Sequence, residues 1–149
     1  MKAKQMDMTF LRLTDELTTG VRAIDSQHAG FLDIYNSLLR VIATHHGERI
    51  VLSPILAELF SYIDYHFRTE EALMRSIAYP DYARHKKMHE RMAEAFDDLC
   101  CRLDLGTADL DELVDMLRGW ITGHMADVDI RLGEYYRHVR KAQNRASGG

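Results

Sequence analysis

Histidine and carboxylate side chains recur at helical spacing in four separated parts of the sequence. His66 and Glu70 lie four residues apart, as do His85 and His89, and in a helix this spacing stacks each pair on one face. Imidazole together with carboxylate suits zinc, copper, iron or nickel better than magnesium or calcium. The sequence therefore predicts a transition-metal centre at which four helices meet. Its candidate ligands are His28, His66, Glu70, His85, His89 and His124, with Asp127 or Asp129.

The last segment leaves the choice of its carboxylate open. Asp127 follows His124 by three residues and lies near the same face of an ideal helix. Asp129 follows by five residues and is rotated by about 140°. It can join the site only if the helix widens locally, as π-bulges do at functional sites, and Gly123 and Gly133 would ease such a distortion.

Glu70 falls on the predicted inward face of its helix. A buried carboxylate without a partner would cost several kcal/mol, so a cation would account for its position. The alternative is a surface carboxylate paired with Arg68 or Arg75. Two histidines in successive turns of the next helix, among methionine and phenylalanine residues, favour the metal.

Four stretches of apolar residues at three- and four-residue spacing predict four helices. Pro54 must lie in the first turn or so of the second helix. Short connections make neighbouring helices antiparallel, so the expected fold is an all-α, up-down-up-down four-helix bundle. The predicted boundaries are a cap at Asp25 or Ser26 and an end near His45 for the first helix, a cap at Ser53 or a start near Glu48 for the second, residues 82–103 for the third, and a cap at Thr107 or Asp109 for the fourth.

The ends of the chain are predicted to lie outside the bundle. A chain of 149 residues is expected to form one domain with a real core. Residues 1–20 are predicted to form an N-terminal arm, in which Phe10, Leu11 and Leu13 cover one end of the bundle. Residues 144–149 are expected to form a frayed tail.

Composition narrows the functional classes. An apolar content of 46% is typical of a globular protein, and a net charge of −4 argues against nucleic-acid binding. The sequence has neither a run of about 18 apolar residues nor a signal-peptide pattern, so we expect no membrane span and a cytoplasmic location, unless the chain is part of a longer protein. Cys100 and Cys101 are predicted to be reduced thiols without a metal role.

The motifs resemble those of the hemerythrins, most closely the bacterial single-domain members. One His-x-x-x-His motif is weak evidence, but four motifs in the same order with matching spacing are specific. The resemblance spans roughly Leu13 to Tyr136. Its matching stretches are residues 20–28, residues 66–71, residues 79–81 leading to His85 and His89, and residues 120–124 followed by Asp129.

The resemblance implies a cofactor of two iron ions and selects Asp129 over Asp127. Seven protein ligands cannot fill two octahedra, which leaves a position for a small ligand. The implied ligands are His85, His89 and His124 on one iron, His28 and His66 on the other, and Glu70, Asp129 and an oxo or hydroxo group as bridges. Dioxygen is implied to bind at the two-histidine iron, in an apolar pocket formed by Phe31, Phe67, Trp120, Ile121 and Met125.

Reversible dioxygen binding by a carrier, store or scavenger is the leading functional hypothesis, and nitric oxide or small anions are further expected ligands. The alternatives are a di-iron oxidase or peroxidase, a gas-sensing input module and an iron store. Ferritin-like di-iron enzymes use more carboxylates than this sequence offers, and its excess of histidine favours binding over catalysis. No protein partner or oligomeric state can be assigned from the sequence.

Overall fold

The structure, a computed structural model, describes residues 5–149 and contains no strand within that range. The last three helical segments follow one another without a break and form one long fourth helix. With short connections between neighbours, the chain forms an antiparallel four-helix bundle, which confirms the predicted fold class. The segments are a 3₁₀ turn at Asp15–Leu17, α1 at Arg22–His45, α2 at Arg49–Ser76, α3 at Tyr82–Asp104, α4 at Leu110–Gly119, a π-helical segment at Trp120–Val128 and α5 at Asp129–Ser147.

The first helix begins earlier than we predicted. α1 starts at Arg22, so Asp25 lies in its first turn and is not its cap. The Asp25 carboxylate instead accepts hydrogen bonds from the backbone N–H groups of Thr19 and Gly20, at 2.7 and 3.1 Å, and from the Thr19 hydroxyl at 2.7 Å. Asp25 therefore fixes the chain that leads into the helix.

The second helix follows the earlier of its two predicted starts. α2 begins at Arg49, so the predicted cap at Ser53 is wrong and Pro54 is the sixth helical residue. Proline has no N–H for the carbonyl of Ile50, but this carbonyl lies near the exposed start of the helix, where water can replace the donor. The predicted range of α3 is confirmed, and Asp109 caps α4 by accepting from the backbone N–H of Glu112 at 3.0 Å.

The N-terminal arm lies along the bundle and does not cover one end of it. The backbone N–H and carbonyl of Leu11 hydrogen-bond the side chain of Asn36 on α1, and Arg118 on α4 donates to the carbonyl of Thr9. Leu11 and Leu13 pack against the side of the core, and not over its end as we had predicted for them. Phe10 is half exposed, with a guanidinium group over its ring, so its predicted covering role is wrong.

The C-terminal helix extends further than we predicted. α5 continues to Ser147, and only Gly148 and Gly149 lie beyond it. Fraying of residues 144–149 stays a prediction. Cys100 is half-buried and Cys101 is exposed, and neither is part of a disulfide. Within residues 5–149, no helix has both the length and the apolar character needed to cross a membrane.

Ala78 ends α2 in a conformation that normally favours glycine, with φ +50°. The N–H of Tyr79 donates to the carbonyl of Met74 at 2.9 Å and the N–H of Ala78 donates to that of Arg75 at 3.3 Å, the pattern of a Schellman motif. Because the left-handed conformation costs an L-residue about 1–2 kcal/mol, Ala78→Gly should raise the free energy of unfolding by about 1 kcal/mol.

A matched substitution on the same helix controls this prediction. Ala57 is exposed in the interior of α2, so Ala57→Gly should lower the free energy of unfolding by about 1 kcal/mol. Urea unfolding under identical metal loading measures both values. A loss of stability in both variants would contradict the strain assigned to Ala78.

Candidate metal centre

The seven side chains predicted to bind metal all lie in the interior of the bundle. None is more than 6% exposed, although imidazoles and carboxylates are usually found at the surface. Each of the four long helices contributes at least one of them. The residues are His28 on α1, His66 and Glu70 on α2, His85 and His89 on α3, His124 in the π-helical segment and Asp129 at the start of α5.

The two carboxylate oxygens of Glu70 face different groups of imidazoles. Oε1 lies 3.3 Å from Nε2 of His66 and 3.9 Å from Nε2 of His28. Oε2 lies 3.2 Å from Nε2 of His85 and 3.0 Å from Nε2 of His89. The carboxylate therefore lies between two histidines on one side and two on the other.

Asp129 repeats this arrangement from the opposite helix. Its Oδ2 lies 3.0 Å from Nε2 of His28 and 3.9 Å from Nε2 of His66. Its Oδ1 lies 3.1 Å from Nε2 of His85 and 3.0 Å from Nε2 of His124. Both carboxylates thus span the same two sets of nitrogen atoms.

Two overlapping donor groups result, and the ligand atoms within each lie within 4.8 Å of one another. Both groups contain Glu70 and Asp129, so the donors fit two neighbouring cations that share two carboxylates. The groups are Glu70, His85, His89, His124 and Asp129, and His28, His66, Glu70 and Asp129.

The surface alternative for Glu70 is wrong. Its side chain is fully buried, and the two arginines considered as partners interact elsewhere. Arg68 pairs with Asp64 at 2.9 Å, and Arg75 donates to the hydroxyl of Tyr82 at 3.1 Å.

The π-helical segment brings Asp129 into the cluster. The N–H of Asp129 donates to the carbonyl of His124 five residues earlier, the hydrogen bond of a π turn, which places the two side chains on the same face. The predicted widening of the helix is therefore confirmed. Asp127 is exposed and pairs with Arg131 at 3.2 Å.

Gly133 does not ease the π distortion as we expected, because it lies in α5, beyond the π-helical segment. A Cβ at this position would lie 2.2 Å from the carbonyl oxygen of Thr19. Glycine is therefore required for the close approach of α5 to the N-terminal arm.

The carboxylates remain ionised although they are buried. Burial raises the pKa of Glu70 and the nearby Asp129 raises it further, but the surrounding imidazoles outweigh both effects and lower it to about 2. Burial also raises the pKa of Asp129, and the close imidazoles of His124, His28 and the other histidines bring it well below its usual value. The interior thus holds two negative charges that require positive partners.

Unpaired polar atoms indicate what those partners are. The buried atoms without a hydrogen-bond partner in residues 5–149 include Nε2 of His66, Nε2 of His89, both carboxylate oxygens of Glu70 and Oδ1 of Asp129. Each points into the cluster. Unpaired buried polar groups are rare in folded proteins, so these five atoms fit metal ligation by the residues present.

Polar groups behind the cluster orient two of the imidazoles, and the sequence prediction did not assign them a role. Gln27 accepts from Nδ1 of His66 at 2.9 Å, and its own amide nitrogen donates to Thr69 at 2.9 Å. Glu71 lies 3.1 Å from Nδ1 of His89. Such contacts fix the tautomer of a metal-binding histidine. The sequence feature that could have indicated this role is that each partner is adjacent to a candidate ligand: Gln27 precedes His28, and Glu71 follows Glu70.

Aromatic rings pack directly on the three-histidine group. Phe67 stacks on His89 with ring centroids 3.9 Å apart, and Trp120 stacks on His124 at 3.7 Å. The five residues predicted to line the ligand pocket belong to one apolar cluster or pack against it; they are Phe31, Phe67, Trp120, Ile121 and Met125. Their contact with a bound ligand stays a prediction.

A helical bundle whose buried, histidine-rich donors form two sites joined by shared carboxylates is a binuclear metal-binding protein. Comparison with known proteins then defines the family. The chain belongs to the hemerythrin family: the model of the Hemerythrin HHE cation binding domain matches residues 19–135. The predicted di-iron cofactor is confirmed by this membership together with the buried donor cluster.

Named relatives agree with this assignment. The chain is 30% identical to a bacteriohemerythrin of Stenotrophomonas maltophilia over 144 residues, which cover 95% of this chain and 93% of the relative. It is 31% identical to that of Methylococcus capsulatus over 115 residues, covering 76% and 86%. The crystal structure of a wild-type hemerythrin is similar with a TM-score of 0.78 and 29% identity, covering 86% of this chain and 98% of that chain.

The two aspartates of the last helix provide a test of the cluster. Asp129→Asn removes the negative charge that both donor groups share, and we expect it to reduce bound iron from two ions per chain to one or none. Asp127→Asn changes the same chemical group on the exposed face and should retain both ions. Iron-to-protein ratios after gel filtration measure the difference, and equal iron loss in the two variants would contradict the geometry.

Metal removal should destabilise the fold. A cation that binds only the folded chain, at a free concentration a hundredfold above its Kd, stabilises it by about 2.7 kcal/mol. Removal of iron by a chelator should therefore lower the thermal midpoint by about 5–10 °C for a domain of this size. Scanning calorimetry measures the shift. The chelator should change the thermal midpoint of Asp129→Asn only slightly, because this variant is expected to bind little iron. Identical midpoints for the loaded and metal-free wild-type chain would contradict a metal centre inside the core.

Proposed function

We propose that this chain binds dioxygen reversibly at its non-haem di-iron centre, with the seven buried side chains as ligands. The observation that carries the proposal is the position of the two carboxylates, each with one oxygen toward each group of imidazoles. The proposed ligands are His85, His89 and His124 for one iron, His28 and His66 for the other, and Glu70 and Asp129 as bridges, together with an oxo or hydroxo group.

The unequal number of imidazoles supports a ligand position on one side. Three histidines face one side of the carboxylate pair, and only His28 and His66 face the other. The two-histidine side has one protein donor fewer, so it is the side on which an exogenous ligand can bind. Dioxygen is the proposed ligand, and nitric oxide or small anions would bind in the same place.

The protein orients the donors. When bound, the iron pair provides two electrons that dioxygen can take up and return. Phe67 and Trp120 stack on the imidazoles of His89 and His124 and restrict the movement of both rings. The partly buried Glu71 fixes the ring of His89, so the donors need little rearrangement when the ligand binds.

Several features favour binding over catalysis. Five of the seven proposed donors are imidazoles, whereas ferritin-like di-iron enzymes use more carboxylates. Nitrogen-rich coordination favours iron(II) and the return of dioxygen. A role as carrier, store or scavenger is the proposed use of this chemistry, and a cytoplasmic location stays a prediction.

Anaerobic titration tests the proposed function. The fully reduced, iron-loaded chain should take up one dioxygen per two irons, with a new visible absorption band, and removal of dioxygen should restore the starting spectrum. The matched chain with Asp129→Asn should show neither change, because it lacks the shared carboxylate. Absorption spectroscopy with an oxygen electrode follows the titration.

Two outcomes would contradict reversible binding. Continued oxygen consumption with a reducing substrate present would indicate an oxidase or peroxidase. Stoichiometric uptake followed by permanent oxidation of the iron would show that dioxygen is not returned.

A further inference from the structure

In four of the five clustered imidazoles, the ring nitrogen that faces away from the carboxylates lies near a polar group of the protein, or the ring borders a surface groove. Nδ1 of His28 lies 3.4 Å from a backbone carbonyl oxygen. Nδ1 of His66 and of His89 contacts the amide and the carboxylate described above. His124 lines a surface groove of about 390 Å³.

His85 differs from the other four. Its side chain is buried, and its Nδ1 has no hydrogen-bond partner among residues 5–149. A neutral imidazole that binds metal through Nε2 carries a proton on Nδ1, and metal-binding histidines nearly always donate this proton to a carboxylate, a carbonyl or a water molecule. His85 therefore requires an acceptor that its contacts with residues 5–149 do not supply.

A small cavity adjoins this ring. Its volume is about 10 Å³, close to the roughly 10–15 Å³ that one water molecule needs. It is lined by His85, Tyr79 and Asp81, together with Arg84, Met88, Val128 and Arg131. The volume of the cavity is therefore close to that of a site for a single water molecule.

The polar groups of the cavity can hold such a water. Asp81 precedes α3, but its carboxylate makes no capping hydrogen bond to that helix and is free to act elsewhere. Burial and then the nearby Asp81 carboxylate raise the pKa of Tyr79, so its phenol keeps its proton and its oxygen can accept a hydrogen bond. With His85 as donor, these two acceptors would give the water three hydrogen bonds, within the two to four that hold an ordered water in a protein.

We propose that the cavity binds one water molecule. This water accepts a hydrogen bond from the Nδ1–H group of His85 and donates hydrogen bonds to the carboxylate of Asp81 and to the hydroxyl oxygen of Tyr79. Tyr79 and Asp81 are thereby positioning residues for a metal ligand, and they fix the tautomer that directs Nε2 of His85 toward the carboxylates. The proposal rests on His85 binding metal, as stated under the proposed function.

Nuclear magnetic resonance of the full chain tests this hydrogen bond directly. Zinc(II) serves as the diamagnetic probe, and ¹⁵N-labelled histidine reports each ring nitrogen. In the wild-type chain, the Nδ1 proton of His85 should be visible, shifted downfield and slow to exchange with solvent. In the double variant Tyr79→Phe, Asp81→Asn, we expect exchange to be about tenfold faster, the factor for one hydrogen bond of ordinary strength.

Two substitutions outside the cavity provide matched controls. Tyr82→Phe removes a hydroxyl that bonds Arg75, and Asp97→Asn changes an exposed carboxylate on α3. Neither should alter the His85 proton. In the iron-loaded chain, the double variant should also release iron to a chelator about tenfold faster or more, as is typical when the partner of a metal-binding histidine is lost, while the controls should not.

A crystal structure of the loaded wild-type chain tests the proposal without any variant. It should show a water oxygen within about 3.2 Å of Nδ1 of His85. The proposal is overturned if that position is empty while other buried waters are ordered, or if the His85 proton is identical in the wild type and the double variant. Either result is compatible with metal binding by His85, so it would overturn the bound water without overturning the proposed metal site. A His85 ring whose ¹⁵N shifts show no zinc bond would overturn the proposed metal assignment as well.

Discussion

Two ionised carboxylates in the centre of a helical bundle are the constraint on which the rest of the structure depends. Transfer of an unpaired carboxylate from water to a protein interior is strongly unfavourable. Glu70 and Asp129 are fully buried, and the imidazoles around them keep them ionised. Cations between the carboxylates and the imidazoles would balance these charges, so we expect the stability of the fold to depend on its cofactor.

The architecture places the donors where this constraint can be met. Antiparallel helices bring residues that are far apart in sequence to the same level of the bundle, so His28 and Asp129, 101 residues apart, come within 3.0 Å. Regular helices alone would not be sufficient, because an α-helical turn would direct Asp129 away from His124. The π turn between them corrects the direction of this one side chain.

The sequence predicted the parts of the structure that depend on local pattern. Helical spacing identified all four histidine-bearing segments, and all seven proposed ligands lie in the buried cluster. Asp129 could be chosen over Asp127 only by resemblance, since the arithmetic of a regular helix favours Asp127. The cap at Ser53 was wrong because α2 already begins at Arg49, so that Pro54 lies in its second turn.

Contacts between residues that are far apart in sequence could not be predicted, because they depend on distances across the bundle. The path of the N-terminal arm depends on Asn36 and Arg118, whose residue types alone do not reveal their partners. The same is true of the small cavity beside His85, because its walls come from different helices and from the turn before α3. Adjacent polar residues such as Gln27 could have been proposed as partners of a ligand, but not assigned to His66.

The most direct test of the account is the location of iron by anomalous diffraction at the iron absorption edge from crystals of the loaded chain. We expect two iron peaks, both within coordination distance of an oxygen of Glu70 and an oxygen of Asp129, with three imidazoles on one peak and two on the other. A single peak, or iron bound outside this cluster, would contradict it.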